Sequence, residues 1–395
     1  MSTDKIPFLD LVAPHRELEE DLSAVCREAF RTARFIGGPN LTGFEEDFAA
    51  FCETEHCVGV ASGTDALRFA YQAAGIGPDQ VVITVSHTFI ATTEALSQVG
   101  ASIKFVDIDE NSFTMDPVLL AAYLENDCRS GGPDGRPVDK ATGKTVTAIV
   151  PVHLYGQCAD MYSIMEIAKK YHLKVIEDAC QAHGAKCYSQ GDKQWHAAGS
   201  MGHAAAFSFY PGKNLGACGE GGAVTTNDSS IAETVKMLRE HGQAKKYVHA
   251  IEGYNGRLDA IQAGLLRIKL KKLPEWNEGR RRAAKDYDEL LADIQSVTTP
   301  REPEWSRGVY HLYVVRLPDR EAMMKKLDKN GIGSGLHYPI PLHRQQAYEN
   351  MQLAEGSLPV TERVAREILS LPMFPTLTRD QIQRVAEVLK EEQEF

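Results

Sequence analysis

Lys213, Ser208 and Asp178 are the residues of this chain whose chemistry and placement stand out. Lys213 lies in AAAFSFYPGKNLGACGEGGA, residues 204–223, which opens with alternating small and aromatic residues that read as a buried strand and breaks at Pro211-Gly212. A lysine on a tight turn just past a buried strand is held rigidly and partly desolvated. Desolvation disfavours the ammonium form and leaves the free amine that a Schiff base requires. A solvent-facing lysine on a loop fits this stretch equally well. Ser208, five residues earlier on the same element, can reach a phosphate, or it is a buried serine satisfied by backbone. Asp178 closes the apolar strand LKVIED, with Gln181 three residues on. A carboxylate there points into the crevice where ligands bind and would stabilise a cation such as a pyridinium nitrogen. An acid bonded to local amides is the alternative. Gly63-Thr64-Asp65 stands between a buried strand and a helix. Free amides and a hydroxyl at such a point suit a phosphate, unless Thr64 or Asp65 simply caps the helix.

Together these parts are what is needed to hold pyridoxal 5'-phosphate, an electron sink whose power depends on a protonated ring nitrogen. Phe89, just after the apolar run 81–85, is a candidate cover for the ring face, or a core aromatic. Other motifs fail. GKT at 143–145 meets Val138 where a phosphate loop needs glycine, and GKN at 212–214 lacks both that glycine and the Ser/Thr for magnesium. AGSMG at 198–202 misses the first glycine of a hydrolase elbow. There is no HExxH, and His337 and His343 flank two prolines, a poor metal pair, so no metal is expected.

Placing these groups together requires regular alternation of strand and helix. Helical periodicity covers 15–33, 42–54, 66–74, 90–99, 116–126 and 160–171, while apolar runs at 56–61, 81–85, 103–106, 147–152 and 173–176 read as strands. The alternation predicts an α/β domain with a largely parallel sheet, active at the carboxyl ends of its strands. Two polar excursions, 127–145 and 188–199, read as surface insertions. A charged helix at 275–292 then leads to a strand at 309–317, a helix at 320–330, the segment HYPIPLH at 337–343 and a terminal helix at 378–393. The expected organisation is a large cofactor-binding domain, 1–274, beside a smaller α+β domain, 275–395.

The chain has 395 residues, 43% hydrophobic and 25% charged, within the range of globular proteins. A net charge of −11 argues against a nucleic-acid or membrane-surface partner. The eight cysteines form no CxxC, the start MSTDKIPFLDL has no signal-peptide pattern, and no apolar run is long enough to span a bilayer. The expectation is a cytoplasmic protein with reduced thiols.

EDACQAHGA (177–185), FSFYPGKNLGA (207–217), GEGGAVTTND (219–228), LREHG (238–242) and GYNGRLDAIQA (253–263) closely resemble the DegT/DnrJ/EryC1/StrS family of sugar aminotransferases. SGTDAL (62–67), TFIAT (88–92) and PVHLYGQ (151–157) extend the likeness over most of the chain. The resemblance implies the aspartate-aminotransferase-like (type I) fold and a homodimer with shared active sites. By the same likeness Lys213 is the Schiff-base lysine, Asp178 the partner of the pyridine nitrogen and Gln181 the donor to the ring hydroxyl. Gly63, Thr64 and Ser208 match the phosphate contacts, Phe89 the ring-stacking position, and Asn255 the asparagine that reaches the other subunit's cofactor. Tyr210, His337 and Tyr338 are candidates for the sugar site, and Lys245, Lys246, Arg257 and Arg344 for offsetting the charge of a nucleotide diphosphate. Cys180 and Glu220 stand where Ala and Asp are common, and Gly256 where a larger residue is frequent. The two insertions are longer than usual and could alter the substrate mouth.

The expected reaction passes an amino group from glutamate or glutamine to a nucleotide-linked keto-sugar, at C3 rather than C4 by the likeness of TFIAT and HYPIPLH. Rival readings are a cyclitol (inosose) aminotransferase and a non-catalytic regulatory relative. A sugar dehydratase of the same lineage would carry histidine where this chain has Lys213.

Overall fold

In the computed structural model, which describes residues 5–390, seven strands form the spine of one sheet. They are β1 (His56–Val60), β2 (Gln80–Val85), β3 (Ser102–Val106), β4 (Thr145–Ile149), β5 (Lys174–Asp178), β6 (Ala204–Ser208) and β7 (Gly222–Thr226). Their order across the sheet is β1-β7-β6-β5-β4-β2-β3. From β6 to β3 neighbours pair in parallel, whereas β7 runs antiparallel to both β6 and β1. The carboxyl ends of β1, β2, β5 and β6 therefore meet at one edge of the sheet.

Side-chain alternation, interrupted in β4 by a register shift between Val146 and Ala148, sorts the two faces. Val82, Ala148, Ile176, Ala204 and Ala206 pack with the helices Gly63–Ala73, Ala91–Gln98 and Ser229–Arg239. Val81, Ile83, Val146, Ile149 and Val175 pack on the other face with Pro117–Asn126 and Met161–Lys170. On β6 the alanines at 204 and 206 let the helix Gly63–Ala73 lie close, while Ala205 and Phe207 turn toward the helices Pro39–Phe51 and Ala260–Leu291. Phe48 meets Phe207 and Phe209 edge-on at 5.0 and 5.3 Å, the geometry that ring quadrupoles favour.

Several elements differ from expectation. The helix expected at 15–33 is two, Val12–Glu17 and Glu19–Thr32, broken at Leu18. The charged helix expected from 275 begins at Ala260 and continues to Leu291 through Pro274. The proline removes one backbone donor, but Leu270, Leu273 and Trp276 are buried on either side of it and hold the helix together. The excursion 127–145 contains two short strands, Cys128–Arg129 and Val138–Asp139, the second bonded to β4 at Thr145. Most of 188–199 belongs to a hairpin, Lys186–Ser189 with Gln194–Ala197, to which Ser306–Arg307 adds a third strand. Polar composition concealed both pairings.

Toward the C-terminus Tyr313–Arg316 pairs antiparallel with Ile368–Leu371 under the helices Arg320–Lys329 and Arg379–Lys390. Their core includes Tyr287 from the long helix, stacked on Tyr313 at 4.6 Å, and Ile6 from the N-terminal segment. Ile6 donates to the Gly331 carbonyl at 2.9 Å and accepts from the Gly333 amide at 2.8 Å. Continuous helix thus runs across position 274, and residue 6 packs with the C-terminal core.

The long helix meets this part of the chain backbone to backbone. A Cβ on Gly279 would lie 2.4 Å from the Pro375 carbonyl oxygen, which cannot swing aside. Gly279→Ala is expected to lower stability by roughly 1–3 kcal/mol, read as a lower urea midpoint at unchanged slope.

Candidate active site

The shared edge of the sheet opens into a cavity of about 590 Å³. Gly63, Thr64 and Ser208 form one side of it. A Cβ on Gly63 would fall 2.6 Å from the Ser208 Cβ, so only glycine lets the helix start touch the strand end. Phe207 and Phe209 are buried on the opposite side of β6, so alternation turns Ser208 toward Gly63. The helix cap is neither Thr64 nor Asp65 but Ser62, whose Oγ accepts from the Asp65 amide at 3.1 Å. Ser62 is the last residue with extended backbone (φ −160°, ψ 168°), the conformation a capping position requires. Asp65 instead pairs with Arg68. The amides of Gly63 and Thr64 then remain as first-turn donors that the helix itself cannot use.

At the end of β5 two adjacent acids part company. Glu177 faces inward and accepts from the amides of Gly199, Met201 and Gly202 at 2.8, 2.9 and 2.6 Å, and His153 Nε2 lies 2.8 Å away. That carboxylate is structural. Asp178, 5% exposed, faces the cavity. One of its oxygens accepts from Thr92 Oγ1 at 2.7 Å and the other from the Cys180 amide at 3.2 Å. Thr88 Oγ1 lies 2.8 Å from Thr92 Oγ1, so a short hydroxyl chain holds the acid in place. Gln181 lines the same wall, its Oε1 accepting from the Tyr155 amide at 2.7 Å and its Nε2 donating to Tyr338 Oη at 3.2 Å.

Lys213 enters from the turn that follows β6, its amide donating to the Tyr210 carbonyl at 2.8 Å. Gly216 folds the chain back, since a Cβ there would sit 2.3 Å from the Pro211 carbonyl oxygen. The next residue, Asn214, is buried and donates to Asn277 Oδ1 at 2.9 Å and to the Val309 carbonyl at 3.0 Å. Burial lowers the Lys213 pKa, against the opposing pull of the Cys180 thiol and the Asp178 carboxylate. The imidazoles around it stay neutral. Burial, reinforced by the lysine charge, lowers His183 to about 3 and His337 to about 4, and carries His311 well below its ordinary value.

Phe89 is 52% exposed and lines the cavity, so it is not a core aromatic. Its ring lies 5.6 Å from that of Tyr338. Tyr210, His337 and Tyr338 also line the wall. Of the other expected residues, Asn255 is exposed and bridges to Glu240, outside the cavity. Lys245, Lys246 and Arg344 are exposed, and Arg257 pairs with Glu240 at 3.0 Å; none of the four reaches the cavity wall. Nor, among the described residues, does either insertion, so neither shapes the mouth within this chain. Cys180 and Glu220, by contrast, line it directly. Sequence reasoning missed Thr92, Phe8 and His311. Thr92 had a signal in TFIAT, whereas Phe8 and His311 are brought to the cavity only by the tertiary fold.

The buried histidines give stability a pH dependence. His183 and His87, the latter lowered to about 4 by burial, are fully buried. A base whose folded pKa lies below its unfolded value of about 6.5 stabilises fully above that value. Each loses about 1.4 kcal/mol per pH unit as pH falls from there toward its folded pKa. Thermal melts from pH 8 to 4 should steepen below pH 6.5, and a profile flat between pH 7 and 5 would contradict these burials.

The description "DegT/DnrJ/EryC1/StrS aminotransferase family" matches residues 16–390. The dTDP-3-amino-3,4,6-trideoxy-alpha-D-glucose transaminase of Streptomyces venezuelae is 42% identical over 98% of this chain and 96% of its own. The erythromycin biosynthesis sensory transduction protein EryC1 of Saccharopolyspora erythraea is 41% identical over 98% of this chain and 99% of its own. Among solved structures, that of S. venezuelae DesV in complex with ketimine intermediate superposes with a TM-score of 0.90 at 41% identity, over 99% of both chains. The α/β fold is that of this group, and a cavity joining a partly buried lysine, a buried acid and a close glycine-serine contact agrees with it. The chain belongs to the DegT/DnrJ/EryC1/StrS aminotransferase family.

Proposed function

We propose that this aminotransferase passes an amino group from glutamate or glutamine to C3 of a nucleotide-linked keto-sugar, using pyridoxal 5'-phosphate. The observation that carries the reading is the meeting of Lys213, Asp178 and the Gly63–Ser208 contact around one cavity. The residues fit the cofactor. The amides of Gly63 and Thr64 with the Ser208 hydroxyl would hold its phosphate, Asp178 the proton of its ring nitrogen and Gln181 its ring hydroxyl, while Phe89 would cover one face. When bound, the cofactor supplies a sink for the electrons released as a proton leaves a substrate carbon. Lys213, its amine biased toward the neutral form, is the base that takes that proton on Nζ and returns it. Thr92 keeps Asp178 oriented, and Phe89 with Tyr338 keeps bulk water from that side.

Preference for C3 draws on the name of the Streptomyces venezuelae relative. The same proposal includes a homodimer in which Asn255 reaches the partner's cofactor. It is supported by the position of Asn255 and of Lys245 and Lys246 on an exposed stretch away from this chain's own cavity. On the wall of that cavity Lys213 is the one lysine or arginine among the described residues, so a nucleotide diphosphate calls for cations from elsewhere. No helix among the described residues is long and apolar enough to cross a membrane, and the eight cysteines are unpaired; a cytoplasmic location completes the reading.

The name of the Saccharopolyspora erythraea relative favours a second reading, a regulatory protein without turnover. A visible cofactor band that glutamate or glutamine bleaches separates the two, and half-reactions with nucleotide 3-keto-sugars, 4-keto-sugars and inososes then identify the acceptor. Lys213→Ala is expected to retain cofactor, escape borohydride trapping and lose about 10²–10⁴-fold in turnover; ordinary turnover by that variant would refute the assignment.

A further inference from the structure

The segment His337-Tyr338, which roofs part of the cavity, is fastened by a residue that is not on the cavity wall. Tyr155 is buried in the turn Leu154–Gly156, where it adopts φ 60°. The turn is pinned from behind, because a Cβ on Gly156 would lie 2.8 Å from the His311 amide nitrogen. Tyr155 Oη donates a hydrogen bond to the His337 carbonyl, which can only accept. That direction fixes the next one. His87 Nε2, 2.8 Å from the same hydroxyl, must carry the ring proton and donate to it. His87 is buried and neutral at physiological pH, as a one-proton donor in this chain should be. Meanwhile the Tyr155 amide donates to Gln181 Oε1 at 2.7 Å, leaving Gln181 Nε2 to face Tyr338 Oη at 3.2 Å.

Both polar ends of Tyr155 therefore converge on the same two residues of the roof. The hydroxyl reaches the His337 carbonyl directly, and the amide reaches the Tyr338 hydroxyl through Gln181. The Tyr338 ring in turn lies 5.6 Å from Phe89. We propose that Tyr155 is a positioning residue for the amino acceptor: with one hydroxyl and one amide it sets where the 337–338 segment sits and which way Gln181 points, and so shapes the acceptor side of the cavity. The kinetic part of this proposal rests on the aminotransferase reading above; the structural part does not.

Tyr155→Phe tests it, since phenylalanine deletes the hydroxyl and keeps the amide bond to Gln181. In the cofactor-loaded protein, deuterium uptake by a peptide spanning 335–345 should rise while that of 204–217 stays unchanged. Cofactor affinity, titrated by the visible band, should stay within about twofold, while KM for the keto-sugar rises roughly tenfold and kcat changes less, as expected for one lost hydrogen bond. Unchanged uptake over 335–345 would overturn the proposal, as would loss of cofactor affinity in step with kcat. If Tyr155→Phe does not accumulate as folded protein, His87→Asn is measured in the same way, because it alters the donor behind the hydroxyl without touching the roof. If no keto-sugar turns over, the exchange measurement still decides, and the failure then belongs to the substrate assignment.

Discussion

A partly buried amine sharing a cavity with a well-held carboxylate is the condition on which this architecture depends. Removing an ammonium from water is costly, and the protein answers by biasing Lys213 toward its neutral form. The imidazoles nearby contribute by carrying no charge of their own, since burial and the lysine together keep His183, His311 and His337 unprotonated. A flexible side chain would escape such a position. Lys213 is confined because the turn that carries it is tied at both ends, through the Tyr210 carbonyl on one side and the buried Asn214 on the other. Asn277, which accepts from Asn214, also donates to the His183 carbonyl at 2.8 Å, so the lysine turn, the long helix and the segment after Asp178 form one hydrogen-bonded unit.

The neighbouring acids at the end of β5 show how a strand divides structural from chemical work. Consecutive residues point to opposite faces. Glu177 meets three backbone amides and a histidine and is exhausted by them. Asp178 meets one threonine hydroxyl and one amide and keeps a face toward the cavity. A shift of register by one residue would exchange these roles, turning Glu177 toward the cavity and Asp178 toward the three amides.

The positions expected to depart from the family pattern have different places in the structure. Gly256 is a packing requirement of this chain, because a Cβ there would come within 2.7 Å of the Phe69 ring. Cys180 and Glu220 are on the cavity wall, Cys180 close enough to Lys213 to influence its protonation. Both therefore sit at the site itself, whereas the polar excursions 127–145 and 188–199 contribute strands away from the cavity wall.

Much of this was legible in the residue order. Strand and helix alternation announced a largely parallel sheet with its site at the carboxyl ends, because buried parallel strands must be apolar and their crossovers must be helical. Lys213, Asp178, Gln181, Ser208 and the Gly63-Thr64 helix start could be singled out because each stands at, or within a few residues of, the carboxyl end of a strand, where local geometry constrains direction. The true helix cap at Ser62, the unbroken passage of a helix through Pro274 and the strands inside the polar excursions were not legible, since propensity and polarity yield there to packing and pairing. Nor could any sequence pattern place Phe8 and His311 on the cavity wall or Tyr155 behind it, against the His337 carbonyl. Those contacts join segments far apart in the chain, and only the closed fold determines which distant backbone passes within a hydrogen bond of which side chain.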